Sequence, residues 1–283
     1  MLSDAFLARL DALRLACASP ARGGAGGVRR SRKLGSSAEF SDFREYAPGD
    51  DIRRLDWNAY ARFDRLFLKL FMEEQEESVT VLLDGSGSMA PKWADGRMAA
   101  EALGYLALTG GDRVRIGVLS GEEPVISSFL TGRKAYPRLS DFLDGCVPRG
   151  QTDLMQAVRR IDPYPQGLTL LLTDGYQAGG LGKTLDLLAY RGQSGAVVQL
   201  LSREEMHPEM TGALRLRDAE GGPDVELVLD RAARRQYAET LAAFLRETQA
   251  ACRKRGMPYL LLSGDRPLEQ ALIPALAGSG MIG

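Results

Sequence analysis

The sequence has a single histidine, His207, and three cysteines, Cys17, Cys146 and Cys252, among 283 residues. One imidazole restricts any histidine-based triad or histidine metal centre to one position. An odd number of widely separated cysteines, without metal-ligand spacing, argues against a disulfide framework or a Cys-rich zinc site and suits a reducing compartment. Net charge is almost absent as well. The 36 Lys and Arg stand against 37 Asp and Glu, a formal −1, which supplies no global field for nucleic acid. Long apolar runs are also missing. In the opening MLSDAFLARLDALRLACAS, Asp4, Arg9, Asp11 and Arg14 interrupt any stretch long enough for a signal peptide or a membrane span. A cytoplasmic protein with no membrane span is therefore expected.

What is present is the composition of a folded chain, 45% hydrophobic and 26% charged. At this length roughly three quarters of the unfolded surface is buried, so the core needs neither disulfides nor zinc. The pattern divides into three parts. Residues 1–34 hold a predicted amphipathic helix over 4–18, from the spacing of Phe6, Leu10, Leu13 and Cys17, and then a Gly-rich linker and the basic run Arg29, Arg30, Arg32, Lys33. Residues 35–77 interleave aromatics and charges around Pro48-Gly49 and predict a small strand-rich appendage with Trp57 and Tyr60 in its core. Residues 78–283 alternate apolar strands with helices.

In that last part strands are expected at Val79 to Leu83, Val114 to Leu119, Leu168 to Thr173, Ala196 to Leu201 and Tyr259 to Leu262. Helices are expected near Arg97 to Thr109, Lys134 to Leu143, Leu154 to Ile161, Leu181 to Tyr190 and Ala232 to Arg255. Strands this apolar belong where helices cover both faces of a mostly parallel sheet, which is the α/β class in a doubly wound, Rossmann-type arrangement. Pro124 to Phe129 follows too soon for a parallel crossover and predicts an antiparallel edge strand. A hairpin insertion is expected near 213–229, where Glu220, Gly221 and Gly222 separate LRLRDA from VELVLD.

Directly after the first of these strands comes Asp84-Gly85-Ser86-Gly87-Ser88. Side chains two apart on a near-extended loop point one way, and Gly85 and Gly87 let the backbone bend round a small object. Two further loops at the same sheet edge carry Gln151, Thr152 and Asp153, and Thr173, Asp174 and Gly175. The carboxyl ends of the strands are where open α/β sheets bind ligands. Carboxylate and hydroxyl oxygens without His or Cys suit Mg²⁺ or Mn²⁺, held by Asp84, Ser86, Ser88, Thr152 and Asp174. With two acidic ligands the ion stays electron-poor and accepts one more anionic oxygen from outside. Gly85, Gly87, Gln151, Asp153 and Gly175 would then rim the partner-binding face. A phosphate-binding loop fits less well, since GSGS lacks the Lys that reaches a phosphate, and no GxGxxG spacing follows this strand.

The pattern Asp84-x-Ser86-x-Ser88 with Thr152 and Asp174 resembles the metal-ion-dependent adhesion site of von Willebrand factor A domains. That resemblance implies direct ligation by Ser86 and Ser88, a Thr152 that joins or leaves with conformation, Asp84 and Asp174 often acting through water, and a partner's Asp or Glu in the sixth position. The preceding segment, with Arg44, Tyr46, Asp50, Asp51, Arg53, Asp56, Trp57 and Arg62, closely resembles the bacterial family of unknown function number fifty-eight. Members join this appendage to a von Willebrand A-like domain and are commonly encoded beside MoxR-type AAA+ ATPases. The resemblance thus implies a non-enzymatic interaction module whose partner is such an ATPase or its client.

Two readings from other classes stay open. A metal-dependent hydrolase would use the same ion to activate water. Ser86 with His207 as base lacks the strained GxSxG elbow of a hydrolase nucleophile, and His207 is expected on a surface loop. A nucleic-acid binder would work through the aromatic and basic stretch from Arg29 to Lys69. There ten basic residues face seven acidic ones, with Glu73, Glu74, Glu76 and Glu77 following at once, so a solvated face without nucleic acid is the expectation.

Overall fold

The run Ser78–Asp84 (SVTVLLD) is buried along its whole length, which a strand tolerates where helices cover both faces of its sheet. The computed structural model describes residues 1–15, 40–47, 55–63, 65–71, 77–121, 123–177 and 179–282. In chain order the elements are α1 (Asp4–Leu10), β1 (Phe40–Glu45), α2 (Trp57–Phe63), β2 (Phe67–Phe71), β3 (Ser78–Asp84), α3 (Trp93–Thr109), β4 (Arg113–Leu119), β5 (Val125–Ile126) and β6 (Leu130–Thr131). They continue with α4 (Tyr136–Asp144), α5 (Leu154–Arg160), β7 (Gly167–Thr173), α6 (Gly182–Tyr190), β8 (Ser194–Leu201), α7 (Arg203–Met206), β9 (Gly212–Leu216), β10 (Val225–Leu229), α8 (Arg231–Lys254), β11 (Tyr259–Ser263) and α9 (Leu268–Ser279). The chain forms two units, Met1–Arg30 with Glu77–Gly283, and Ser31–Glu76.

The larger unit is an α/β domain with a doubly wound, mostly parallel sheet in the order β11-β8-β7-β3-β4-β5. β3 pairs in parallel with β4 on one side and β7 on the other. The order therefore reverses at β3, and the crevice at its carboxyl end is the natural ligand position. Alternate strand residues serve two cores. Val79, Val81, Leu83, Leu170 and Leu172 join the helices α1, α3, α4 and α9. Leu82, Leu171 and Val197 join α5, α6 and the C-terminal part of α8.

The edge beside β4 differs from the single strand expected over Pro124 to Phe129. Two short pieces, β5 and β6, pair antiparallel with different parts of β4. Between them Ser127 accepts the Ile116 N–H through its own hydroxyl at 2.9 Å, so a side chain replaces a ladder bond and the strand breaks there. The sequence reading also places no element after Leu262, whereas α9 runs with Pro274 inside it. Its Leu272 and Leu276 are fully buried, and this packing outweighs the cost of an interior proline.

The first helix is shorter than the 4–18 span its spacing predicts. It is capped by Ser3, whose side chain accepts from the Phe6 N–H, and ends at Leu10 with Asp11 as its C-cap. Asp11 is engaged elsewhere: the Tyr105 hydroxyl donates to it at 2.6 Å, and Arg133 lies 2.9 Å away. Leu15 then bridges antiparallel to Ile282. Tertiary contacts thus override local helix propensity. The segment docks on its own domain, with the Leu2 N–H donating to the Tyr136 hydroxyl at 3.0 Å and that hydroxyl donating to Glu101 at 2.7 Å.

In the smaller unit β1 and β2 form an antiparallel pair. Asp56, which is buried, caps α2 by accepting the N–H groups of Asn58 and Ala59. Trp57 and Tyr60 do not form its core. Trp57 is 64% exposed and Tyr60 42%, their rings meeting edge to face at 6.4 Å. Residues three apart share one helix face, and this short helix turns that face outward. Tyr46 is half-buried, with its N–H donating to the Leu66 carbonyl, and Arg62 is exposed. Arg44 belongs to β1. Asp50, Asp51, Arg53, the Pro48-Gly49 turn and the basic run at 29–33 lie outside the described residues.

Because Leu10 is fully buried and Val228 is 64% exposed, the two should respond differently to truncation. Leu10→Ala is expected to cost about 2–5 kcal/mol. Val228→Ala should stay within roughly 0.5 kcal/mol of the parent. Urea unfolding monitored by circular dichroism checks both values. Equal, small losses would show that α1 is not an integral part of the domain.

Candidate metal centre

The chain leaves β3 at Asp84, 3% exposed, and turns through Gly85 between neighbours that leave no space for a side chain. A Cβ there would stand 2.9 Å from Val118 Cγ1 and 3.0 Å from Ser120 Cβ. The Gly85 N–H donates to the Leu119 carbonyl at 2.7 Å, the Arg149 N–H to the Gly85 carbonyl at 2.8 Å, and the Gly87 N–H to the Gly150 carbonyl at 2.7 Å. The first bond anchors the loop at 84–88 to the end of β4, and the other two tie it to the loop that carries Gln151, Thr152 and Asp153. Asp84 Oδ1 accepts the Ser86 N–H at 2.9 Å, a turn typical of a short carboxylate side chain. The hydroxyls of Ser86 and Ser88 then stand 3.0 Å apart.

The end of β7 completes the arrangement. The Thr173 hydroxyl donates to Asp84 Oδ2 at 2.6 Å and accepts from the Gly175 N–H at 2.9 Å. The chain turns away through Gly175 at φ +79°, a left-handed conformation that favours glycine. Asp174, 1% exposed, accepts the Tyr176 N–H through Oδ1 at 3.0 Å. Its backbone carbonyl accepts from Gln199 at 2.7 Å, and Gln199 in turn accepts from the Tyr259 hydroxyl at 2.7 Å. Thr173 and Ser86 thus hold the Asp84 carboxylate and the Tyr176 N–H that of Asp174, while Gln199 and Tyr259 hold the Asp174 backbone.

Lys92 was not singled out by the sequence. It follows the loop in the stretch Gly87–Lys92 that leads into α3, and its side chain is 2% exposed with Nζ 3.0 Å from Asp174 Oδ2. The same ammonium pairs with Glu205 and lies 5.2 Å from the centre of the Tyr176 ring. A lysine beside Trp93 and before a helix reads as a solvated residue, since lysine is rarely buried. The one available signal was its position, one turn past the serines at the same sheet edge.

Burial first, and then the charge of Asp174, push the Asp84 carboxyl up to about 6, against the lowering effect of the Thr173 and Ser86 donors. Asp174 Oδ2 is buried without a hydrogen-bond donor aligned on it. Asp84, Asp174, Glu205 and Glu220 together outweigh the Lys92 ammonium, which leaves the site short of positive charge.

The donor set fits a small hard cation. Octahedral neighbours at 2.0–2.1 Å from Mg²⁺ sit about 2.9 Å from each other, close to the separation of the two serine hydroxyls. The same distance serves a hydroxyl–hydroxyl hydrogen bond, so the pair is satisfied without an ion. Among the described residues no trio of His, Cys, Asp or Glu is grouped to hold a metal. A cation here would thus rely on hydroxyl oxygens, as the sequence pattern requires. Thr152 accepts from the Gly121 N–H at 3.2 Å. With Gln151, Asp153, Lys183 and Glu220 it lines a cavity of about 300 Å³ beside the loop. Asp153 caps α5 by accepting the Gln156 N–H, so this carboxylate has a structural task. His207 is 63% exposed, with Nε2 3.7 Å from Asp265.

The sign of the Asp84 shift gives a direct test on metal-free protein. A carboxyl held at about 6 against its ordinary value of 3.8 binds its proton more tightly when folded. Its ionisation therefore costs stability above pH 6, roughly 3 kcal/mol. That cost is relieved as pH falls from about 6 towards 3.8. In EDTA, Asp84→Asn should be more stable than the parent at pH 7.5, with the gap closing at pH 4. A gap of the opposite sign at pH 7.5 would refute the reading of this carboxylate.

Over 244 residues the chain is 27% identical to the uncharacterized protein Rv1480 of Mycobacterium tuberculosis (strain ATCC 25618 / H37Rv), covering 82% of this chain and 76% of that one. Among solved structures it is similar to the conserved hypothetical protein BatB from Bacteroides thetaiotaomicron, at 17% identity and a TM-score of 0.43, over 72% of this chain and 98% of that chain. It is also similar to the SpRpn10 VWA domain, at 11% identity and a TM-score of 0.40, over 70% of this chain and 94% of that chain. Residues 42–247 match the family described as "Protein of unknown function DUF58", and the chain belongs to that family.

Proposed function

We propose that this chain is a non-enzymatic, metal-dependent protein-interaction module. Its sheet edge holds Mg²⁺ or Mn²⁺ through Asp84, Ser86, Ser88, Thr152 and Asp174 and captures a partner that offers an Asp or Glu carboxylate. The observation that carries the reading is the Ser86–Ser88 hydroxyl pair, 3.0 Å apart, beside two buried carboxylates. The family resemblance points to a MoxR-type AAA+ ATPase, or a client protein that it matures, as the partner.

When bound, the ion would supply Lewis acidity, which makes a directional contact to one outside carboxylate oxygen. The protein's part is to hold the oxygens in place. Thr173 fixes the Asp84 carboxylate, and the Gly87–Gly150 bond keeps the two loops in register. Lys92 takes up part of the Asp174 charge, so an ion there is less fully neutralised by the protein and retains appetite for an external anion. Among the described residues no helix is long and apolar enough to cross a membrane.

Titration calorimetry with MnCl₂ at millimolar concentration tests this reading. One ion should bind per chain, and binding should fall at least about tenfold in Ser86→Ala and in Asp174→Ala, a loss of roughly 1.4 kcal/mol or more. Absence of any heat with the parent protein, with MnCl₂ and with MgCl₂ alike, would overturn the proposal.

A further inference from the structure

The hairpin β9–β10 pairs with no other strand of the described residues. It exposes apolar side chains that a fixed sheet would cover, with Leu216 43%, Val225 53% and Val228 64% exposed. Its tip nevertheless reaches the metal loop. A Cβ at Gly87 would collide with the Ala219 carbonyl oxygen, so glycine at 87 is what allows this approach of two backbones. The next residue, Glu220, brings its carboxylate beside Ser88. It also lines the cavity next to Thr152.

The tip is shaped for this. Asp218 accepts the Glu220 N–H through Oδ1 at 2.7 Å, Gly221 takes φ +88°, and Arg215 donates to Asp224 across the base at 2.9 Å. The turn therefore holds one carboxylate out at its apex. The rest of the hairpin has little buried area to anchor it, so the tip can leave at low cost.

We propose that the hairpin tip is a latch on the metal centre, with Glu220 standing where an outside carboxylate must arrive, so that a partner binds by displacing it. This rests on the metal-binding reading above. It makes the site self-occluding: free protein shields its own ion, and a partner succeeds by offering a carboxylate together with contacts that the short hairpin lacks. A ligand within the same chain competes at high effective concentration and weakens every outside carboxylate by the same factor, so only a partner with further contacts still binds.

Mn²⁺ alone serves as the probe, through the water-proton relaxation enhancement per bound ion, with occupancy fixed by calorimetry. In the parent, the tip should limit water access to the ion. Glu220→Ala should raise the enhancement per bound ion about twofold if one more water position opens. Circular dichroism should show an unchanged fold, as the substitution lies at the apex of a turn. A second variant, Asp218→Ala, loosens the turn without touching Ser88 and should raise it by less. Equal enhancement in all three proteins, with Mn²⁺ bound in each, would overturn the latch and leave the metal site standing. Failure of the parent to bind Mn²⁺ would remove both.

Discussion

Two buried carboxylates at the end of neighbouring parallel strands are the constraint around which this edge of the domain is arranged. Asp84 and Asp174 are each at most 3% exposed, and burial together with the neighbouring Asp174 charge raises the Asp84 carboxyl. The protein answers with hydroxyl and amide donors from Thr173, Ser86 and Tyr176, and with the ammonium of Lys92. These reduce the electrostatic cost without removing it, as the raised Asp84 carboxyl shows. Retaining such a cost in a stable domain makes physical sense where a function uses the charge.

The fold explains why the groups meet. β3 is the strand at which the sheet order reverses, so the loops after β3 and β7 emerge side by side and the loop before α5 packs against them. Backbone bonds between Gly87 and Gly150 and between Gly85 and Arg149 keep that contact. Helices on both faces bury the central strands β3, β4, β7 and β8 and leave the carboxyl edge as the place where polar side chains gather. Docking of α1 on the opposite core secures α3, whose start carries Lys92 into the site.

Much of this was readable from the chain itself. Apolar strands without alternation pointed to a sheet covered on both faces, and the Asp84-x-Ser86-x-Ser88 spacing placed three oxygens on one loop. What escaped had tertiary causes. Lys92 is buried because Asp174 and Glu205 neutralise it, and neither neighbour is close in sequence. The first helix stops at Leu10 because Asp11 is drawn to Tyr105 and Arg133. The edge strand splits because Ser127 supplies a side-chain bond in place of a backbone one. Trp57 and Tyr60 are exposed because the short helix that carries them turns their shared face outward. The hairpin could be read from its Gly-Gly turn, whereas the meeting of its apex with Gly87 depends on two segments far apart in the chain.

A crystal of the protein soaked in MnCl₂ and measured for anomalous scattering tests the central claim most directly. The account predicts one strong peak about 2.0–2.2 Å from the Ser86 and Ser88 hydroxyl oxygens. A map without that peak at full soak, with the two hydroxyls still bonded to each other, would contradict it.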